Sequence, residues 1–459
     1  MSCRVAITGI GMITPQGKTT RQTWSRCLQA GDVEQPIPQS WRSYADFTST
    51  IWAPLPEIDF SDYNITRIEV MQQGPASLLM LAAVQEALQQ ARLSLSIRNA
   101  KKGLYSLEGI NDLRTGVYAG TGIGNIASFI ENQAYHSLAK VKETLTRLES
   151  GLAGIPSAQT VTASIPDIIN SLAVPFRFNP FAVSIIMPNA CSSVCGIKYG
   201  IRGHNQTYTG ACAAGTIAIG NAFNAIRNGT IDVALAGGVE YLSDRYGGLF
   251  KGFDIAKTLV ASCDNPTAAN RPFDADRSGF LFSQGGTAML VLENLEHARR
   301  RDAKPIAEIT GFAESFDAHN IMVMEPSGES MSRMIGAALH QAGIDPQDID
   351  YINAHATGTQ VNDETESALI ERMFGNRPLV NSTKSLIGHT LGAGGAIETA
   401  ITALSLQDQT THICKNLHSP IRDLNFVTDS KSYEMAHALN QSFAFGGHNA
   451  ALVLKRFSA

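Results

Sequence analysis

Apolar and polar positions along this chain switch repeatedly between a period of two and a period near 3.6. Val5-Ala-Ile-Thr-Gly-Ile is a short β run that closes in the turn Gly9-Ile-Gly11-Met-Ile-Thr-Pro15. Residues 74–91 place Leu81, Val84, Leu88 and Ala91 on one helical face, and residues 129–150 form a helix that is polar on one side. Thr115 to Gly124 reads as a strand running into a glycine-rich loop. Gln206-Thr-Tyr-Thr-Gly-Ala-Cys212 reads as a β-branched and aromatic run, a small-residue turn, and the start of a helix that ends at Asn228-Gly229. Its faces carry Ile217, Ile219, Phe223 and Ile226, which predicts burial nearly all round, and Val233 to Val239 is the next strand.

Ala288–Leu292 is a further strand, and a second series then begins. Residues 306–312 predict a strand. Residues 329–342 predict a helix with Met331, Met334, Ile335, Ala338 and Leu339 inward and Gly343 as its stop. A strand over 349–354 follows, a helix capped by Asn362 and reaching Phe374, a strand over 379–382, a helix over 389–407, and a strand pair over 432–443 and 450–456. Residues 33–60 and 94–112 lack periodicity and read as surface excursions. Strands alternating with helices predict an α/β fold with mostly buried sheets, the second half repeating the alternation of the first without a clear sequence repeat.

Composition narrows the function. The chain has 459 residues, 44% hydrophobic and 17% charged, which suits a compact enzyme of two or three domain-sized units. A net charge of −5 gives no support for nucleic-acid binding. No apolar run is long enough for a bilayer, and the first strand begins without a signal-peptide pattern, so the expectation is a cytoplasmic protein. Seven cysteines imply no disulfide framework. Cys191 and Cys195, with His204 following, lack zinc spacing and read as buried small residues on an apolar helix over 190–199. Gly9-x-Gly11 has no third glycine at dinucleotide spacing and reads as a turn. Arg299-Arg300-Arg301 reads as a solvated helix end.

Cys212 is the first candidate for chemistry. An arbitrary cysteine is more often a buried structural thiol. At a strand-to-helix elbow, however, the first-turn N–H groups favour the thiolate. Three later loops follow strand ends: Asn353-Ala-His355-Ala-Thr357-Gly-Thr359, then Asn381-Ser-Thr-Lys384-Ser-Leu-Ile-Gly-His389 continuing to Glu398, then Ser442-Phe-Ala-Phe445-Gly-Gly-His448-Asn449. One histidine at a strand end is usually structural. Two of them, a lysine five residues before one, and a cysteine elbow upstream form a far more specific set.

With these residues the chain resembles the β-ketoacyl-acyl carrier protein synthases, the condensing enzymes of the thiolase superfamily, and is closest to the elongating synthases and their type II polyketide relatives. The resemblance runs from Val5–Pro15 through Gly210–Gly215 and Arg271–Phe280 to the three loops. It implies a five-layer αβαβα fold of two similar halves, residues 1–298 with the elbow and residues 299–459 with the His/Lys/His loops. By the same resemblance Cys212 is the acyl-accepting nucleophile. His355 and His389 promote malonyl decarboxylation, Lys384 organises the site, and Glu398 supports it. Phe445 is the gate, with the N–H groups of Cys212 and Phe445 as oxyanion hole, and Thr357 and Thr359 bind the pantetheine arm. The implied partner is an acyl carrier protein, with Lys251, Lys257 and Arg67 as candidate docking cations. The implied assembly is a homodimer whose strand before the cysteine pairs across the two-fold, with a sister-subunit heterodimer as alternative. No metal or redox cofactor is implied.

Three features depart from the family pattern. His448 replaces a threonine or serine, Asp317 to Pro326 is longer and more apolar than usual, and Ser283-Gln284-Gly285-Gly286 replaces a Gly-Glu-Gly-Ala pattern. They favour a specialised polyene or type II polyketide role over housekeeping fatty-acid synthesis. A chain-length-factor-like partner subunit and a non-elongating acyltransferase are the competing readings. The retained Cys212, His355, Lys384 and His389 weigh against both.

Overall fold

The computed structural model describes residues 3–172, 174 and 179–458. Ten strands form one sheet: β1 (Val5–Ile13), β2 (Thr115–Gly120), β3 (Asn205–Tyr208), β4 (Val233–Tyr241), β5 (Gly285–Asn294), β6 (Ala307–Phe316), β7 (Tyr351–Asn353), β8 (Leu379–Asn381), β9 (His437–Phe443) and β10 (His448–Arg456). Their spatial order is β8-β7-β9-β10-β6-β1-β5-β4-β2-β3. Each half therefore has the same internal order, 3-2-4-5-1, with two parallel pairings at its outer end and antiparallel pairings inward. The halves join where Val5–Ile7 pairs with Ala307–Ile309.

Nine helices carry the argument: α1 (Pro75–Gln90), α2 (Ile126–Leu152), α3 (Gln159–Ser171), α4 (Ala182–Ile186), α5 (Ala190–Tyr199), α6 (Ala214–Arg227), α7 (Glu329–Ala342), α8 (Gln360–Phe374) and α9 (Gly394–Asp408). Helices α6 and α9 lie between the sheet halves and touch strands of both, while α1 and α7 cover the outer faces, which gives five layers. Where α6 and α9 cross, a Cβ on Gly215 would lie 2.9 Å from the Ala396 nitrogen, and one on Gly395 only 2.0 Å from Thr216 Oγ1. Glycine is required there by contact, because the crossing helices have no room for a methyl group.

Helix α7 has the predicted bounds, and its five predicted inward side chains are all buried. Three expectations are corrected. Asn362 lies inside α8 and bonds Asp363 and Glu366; Thr359 occupies the cap position. Residues 33–60 are more than a surface excursion. They bury Trp41 and Trp52, and Trp52-Ala53 pairs with Phe282-Ser283. Arg301 is not a solvated helix end: with His297 it holds the fully buried Glu293 and donates to the Ala91 carbonyl at 2.7 Å. Residues 94–112 do lie at the surface, as a small hairpin of strands Leu95–Asn99 and Leu104–Leu107. Among the described residues no helix is long and apolar enough to cross a membrane.

Candidate active site

Strand β3 ends at Tyr208, and the chain reverses through Gly210-Ala211-Cys212 into α6. The strained residue of this elbow is Ala211, at φ 43°, and not the glycine before it. The second half repeats the elbow at Leu391, φ 46°, where Gly392 stands in the position of Cys212. One half thus presents a thiol at its elbow, while in the other a Cβ on Gly392 would lie 2.3 Å from the Gly122 nitrogen and 2.6 Å from Glu240 Oε2.

Around Cys212 the fold gathers side chains from all three later loops. His389 Nε2 lies 3.1 Å from Cys212 Sγ. The rings of His355 and His389 meet edge to face at 5.6 Å. Behind them Lys384, 1% exposed, donates to the His355 carbonyl at 2.6 Å, lies 3.2 Å from His355 Nδ1, and pairs with the buried Glu398. The Phe445 backbone N–H faces the Cys212 sulfur and favours its ionised form. A cavity of about 380 Å³ opens onto Cys212, His355 and His389, and its wall includes Thr357, Thr359 and Phe445. Every site residue expected from the sequence is therefore at this cavity or directly behind it.

The electrostatics correct one expectation. Burial pushes the Cys212 thiol up to about 11, against the lowering influence of Lys384 and the Phe445 N–H, so the resting site holds a thiol and not a thiolate. Nine buried apolar side chains, including Trp41, Trp52, Phe250, Phe280 and Phe282, cluster with Cys212 and exclude water from it. Burial and the Lys384 charge hold His355 and His389 well below the ordinary histidine range, so both rings are neutral hydrogen-bonding groups at pH 7. Burial raises Glu398 while Lys384 lowers it.

Two supports were not found from the sequence. Glu366 on α8 accepts from the backbone N–H groups of His355 at 2.7 Å and Ala356 at 2.6 Å, and Asp363 accepts from those of Thr357 and Gly358. Acidic residues early in a helix read as complements to its dipole, which hides that these two face inward. The His389 backbone is fixed by its N–H, which donates to the Leu281 carbonyl at 2.7 Å. Leu281 leads into the Phe282-Ser283 segment that pairs with residues 52–53.

The docking candidates separate. Lys257 is exposed and lines the cavity. Lys251 lies 3.0 Å from Asp254 and over the Phe47 ring, and neither it nor Arg67 lines the cavity. Met322, Val323 and Met324 of the apolar loop form part of the wall. That loop is tied to the Phe445 loop by Gly446 N–H to the Ile321 carbonyl and Asp317 N–H to the Gly447 carbonyl, both 2.8 Å. His448 packs on Phe316, away from this cavity.

Fold and site together define a condensing-enzyme architecture, and the chain belongs to the β-ketoacyl synthase family. The family's N-terminal domain matches residues 2–298 and its C-terminal domain residues 306–418. Among its relatives, a 3-oxoacyl-[acyl-carrier-protein] synthase 2 of Synechocystis sp. is 32% identical over 99% of this chain and 98% of that protein. Two solved structures each match over the full length of both chains with TM-score 0.78. One, 25% identical, is a type II polyketide acyl-carrier protein in complex with its ketosynthase bound to the hexaketide. The other, 26% identical, is the ishigamide ketosynthase/chain length factor.

Proposed function

We infer that this protein is a β-ketoacyl synthase that condenses a Cys212-bound acyl chain with malonyl-carrier protein by decarboxylative Claisen chemistry, in a specialised polyene or type II polyketide system. The observation that carries the reading is the convergence of Cys212 Sγ, His389 Nε2 and the His355 ring on one cavity, with Lys384 and Glu398 behind.

In the loading step the sulfur attacks the thioester carbonyl while His389 takes the thiol proton. The Sγ–C bond forms, the bond to the pantetheine sulfur breaks, and that sulfur leaves with the proton. The N–H groups of Cys212 and Phe445 hold the oxyanion. In the second step malonyl thioester loses CO₂. Neutral His355 and His389, the latter now as its Nε2–H tautomer, donate to the enolate oxygen, and the enolate carbon attacks the Cys212-bound carbonyl, releasing the cysteine thiolate, which takes a proton from water to restore the thiol. Neutral imidazoles suit this role: each supplies an N–H donor without a charge that the buried site would have to solvate.

Acyl groups arrive on carrier-protein phosphopantetheine, so the reaction needs neither a metal nor a redox cofactor. Thr357 and Thr359, their hydroxyls 2.9 Å apart in the cavity wall, hold the pantetheine arm, and Lys257 meets the acidic carrier at the mouth. We assign the division into halves at 298/299, a cytoplasmic location, and a dimer in which the edge strand β3 pairs with its copy across a two-fold. Asn205 and Gln206 on that strand are exposed at the end of the sheet.

Intact mass spectrometry of one turnover tests the reading. Acyl-loaded carrier should transfer its acyl mass to the enzyme, and malonyl-carrier should then remove it as a β-keto chain two carbons longer. Cys212→Ala should abolish loading. His389→Ala should leave loading detectable and cut condensation by about 10²–10³-fold. Loading without extension in the unaltered protein would favour the acyltransferase reading, and no loading on any acyl chain would favour the partner-subunit reading.

A further inference from the structure

Glu240, one residue before the end of β4, is fully buried and has no role in the chemistry described so far. Five donors nevertheless converge on its carboxylate. Oε1 accepts from Thr121 Oγ1 at 3.0 Å and from the N–H groups of Ile123 and Gly124 at 3.1 and 2.9 Å. Oε2 accepts from the Gly122 N–H at 2.6 Å and from the Gly392 N–H at 3.1 Å. Burial pushes this carboxyl above the ordinary range, and its donors pull it back. All five partners present a hydrogen to it, which is the arrangement that fits a carboxylate.

Four of these donors belong to the glycine-rich loop between β2 and α2, and the fifth comes from the other half of the molecule, close to the catalytic histidine. Gly392 follows Leu391, the residue at φ 46°, and Leu391 packs in the same buried cluster as Cys212. On its other side His389 is held by its own N–H to the Leu281 carbonyl and by the Ser283 N–H, which donates to the His389 carbonyl at 3.4 Å. Among the described residues the ring Nδ1 of His389 has no hydrogen-bond partner. The aim of Nε2 at the sulfur is therefore set by the backbone on both sides and by packing, such as the edge-to-face contact with Phe280 at 5.2 Å. The loop at Glu240 also reaches the elbow of the nucleophile. A Cβ on Gly122 would lie 3.7 Å from both the Ala211 Cα and the Gly392 nitrogen, so this glycine sits between the two elbows with the carboxylate beside it.

We propose that Glu240 is a positioning residue: through Gly392 and the Thr121–Gly124 loop its carboxylate holds the elbow after His389 against the elbow of Cys212, and so sets the 3.1 Å approach of Nε2 to the sulfur. The inference rests on the ketosynthase reading above. Two substitutions separate the parts of this role. Glu240→Gln keeps the size of the side chain but only one acceptor oxygen. The three donors at Oε1 hold that oxygen, which turns the amide NH₂ toward the Gly122 and Gly392 N–H groups and deprives the second elbow of its anchor. Glu240→Asp keeps the charge but is one methylene shorter, so it cannot reach the loop of one half and the elbow of the other together.

Single-turnover loading of the full chain by acyl-loaded carrier protein, followed by intact mass spectrometry, reads both a rate constant and an amplitude. In Glu240→Gln and Glu240→Asp the rate constant at saturating carrier should fall by about 10–100-fold, the effect of a misplaced reacting pair. The amplitude should stay complete, and the carrier concentration giving half the maximal rate should not move. Thr121→Val removes a donor at Oε1 and leaves Oε2 on Gly392, so it should load at the parental rate. A carboxylate that merely supports the fold gives the opposite pattern: an amplitude reduced in step with the folded fraction by circular dichroism, at an unchanged rate constant. That pattern would overturn the proposal. Parental loading rates in both Glu240 variants would do the same, as would failure of both to fold, which would make Glu240 a folding element. Slow loading in Thr121→Val at full amplitude would move the role from the elbow to the loop and overturn the assignment to Gly392. Absence of loading in the unaltered protein is a separate result, and it would sink the ketosynthase reading itself.

Discussion

Cys212 joins two demands that pull apart: a nucleophile wants to ionise, and a dry acyl site penalises ionisation. Burial wins in the resting protein, at about 11, and His389 Nε2, 3.1 Å away, is the acceptor that the proposed mechanism assigns to the thiol proton. Iodoacetamide should therefore alkylate Cys212 slowly at pH 7, with a rate that climbs about tenfold per pH unit to pH 10, where an ordinary thiol near 8.5 would already level off. Intact-mass kinetics read this directly. A plateau below pH 8 would mean that the helix N-terminus outweighs burial. The Lys384–Glu398 pair behind the site has no water to fall back on, so Glu398→Ala should cost about 3–5 kcal/mol in urea unfolding by stranding the ammonium. Lys384→Met with Glu398→Leu should cost clearly less than that single change. At this scale the sequence was most legible: Cys212, His355, Lys384 and His389 sit in short motifs at strand ends, where side-chain type and spacing carry the chemistry. The state of the thiol was not legible, because it depends on Trp41, Trp52 and Phe250, which reach it from distant parts of the chain.

Helices with a single buried stripe were legible from periodicity, as α7 is. Elements whose residues face inward for polar reasons were not. The run Asn362-Asp363-Glu364-Thr365-Glu366 looks like a capped, solvated helix start, yet Asp363 and Glu366 are fully buried and hold the backbone of residues 355–358. Residues 33–60 looked like surface because their contribution is a few pairings and two indoles, with no period to detect. The α6–α9 crossing is a further feature that only contact reveals, and it gives the element-scale prediction. Gly395→Ala places a methyl 2.0 Å from Thr216 Oγ1 and 2.6 Å from Ser442 Oγ, two side chains already bonded to each other at 2.8 Å. Overpacking of this kind costs about 1–3 kcal/mol or more, and a matched thermal melt should show a clear drop in Tm. Gly336→Ala, on α7 with nothing within 4 Å of the added carbon, should leave Tm unchanged or raise it. Equal Tm values for the two variants would show that the crossing relaxes freely.

Over the whole molecule, the two-half organisation was legible as repeated β/α alternation, but the repeat itself was not. The halves share strand order 3-2-4-5-1 and the elbow, while their residues diverged as one half kept the thiol and the other the imidazoles. Joining them buries titratable groups of opposite sign, and these set how stability depends on pH. His412 is held down to about 4 by burial, as His355 and His389 are held low. Below pH 6.5 the unfolded chain binds protons that these folded rings refuse, so their contribution is full above 6.5 and lost as pH falls. Glu366 is pushed the other way by burial, up to about 7. Between about 4.5 and 7 it is protonated when folded and ionised when unfolded, so its contribution is full below 4.5 and lost as pH rises. The two kinds of group oppose each other across pH 4.5–6.5 and flatten the profile of the unaltered protein. Glu366→Gln removes one side of that balance. Whatever constant offset the substitution adds, the variant should gain stability relative to the parent by ~1.4 kcal/mol per pH unit from pH 5 to 6.5, the value of one proton. Urea unfolding at pH 5.0, 5.5, 6.0 and 6.5 measures that slope. Parallel profiles would mean that Glu366 ionises near an ordinary carboxylate value, with its N–H donors to His355 and Ala356 outweighing its burial.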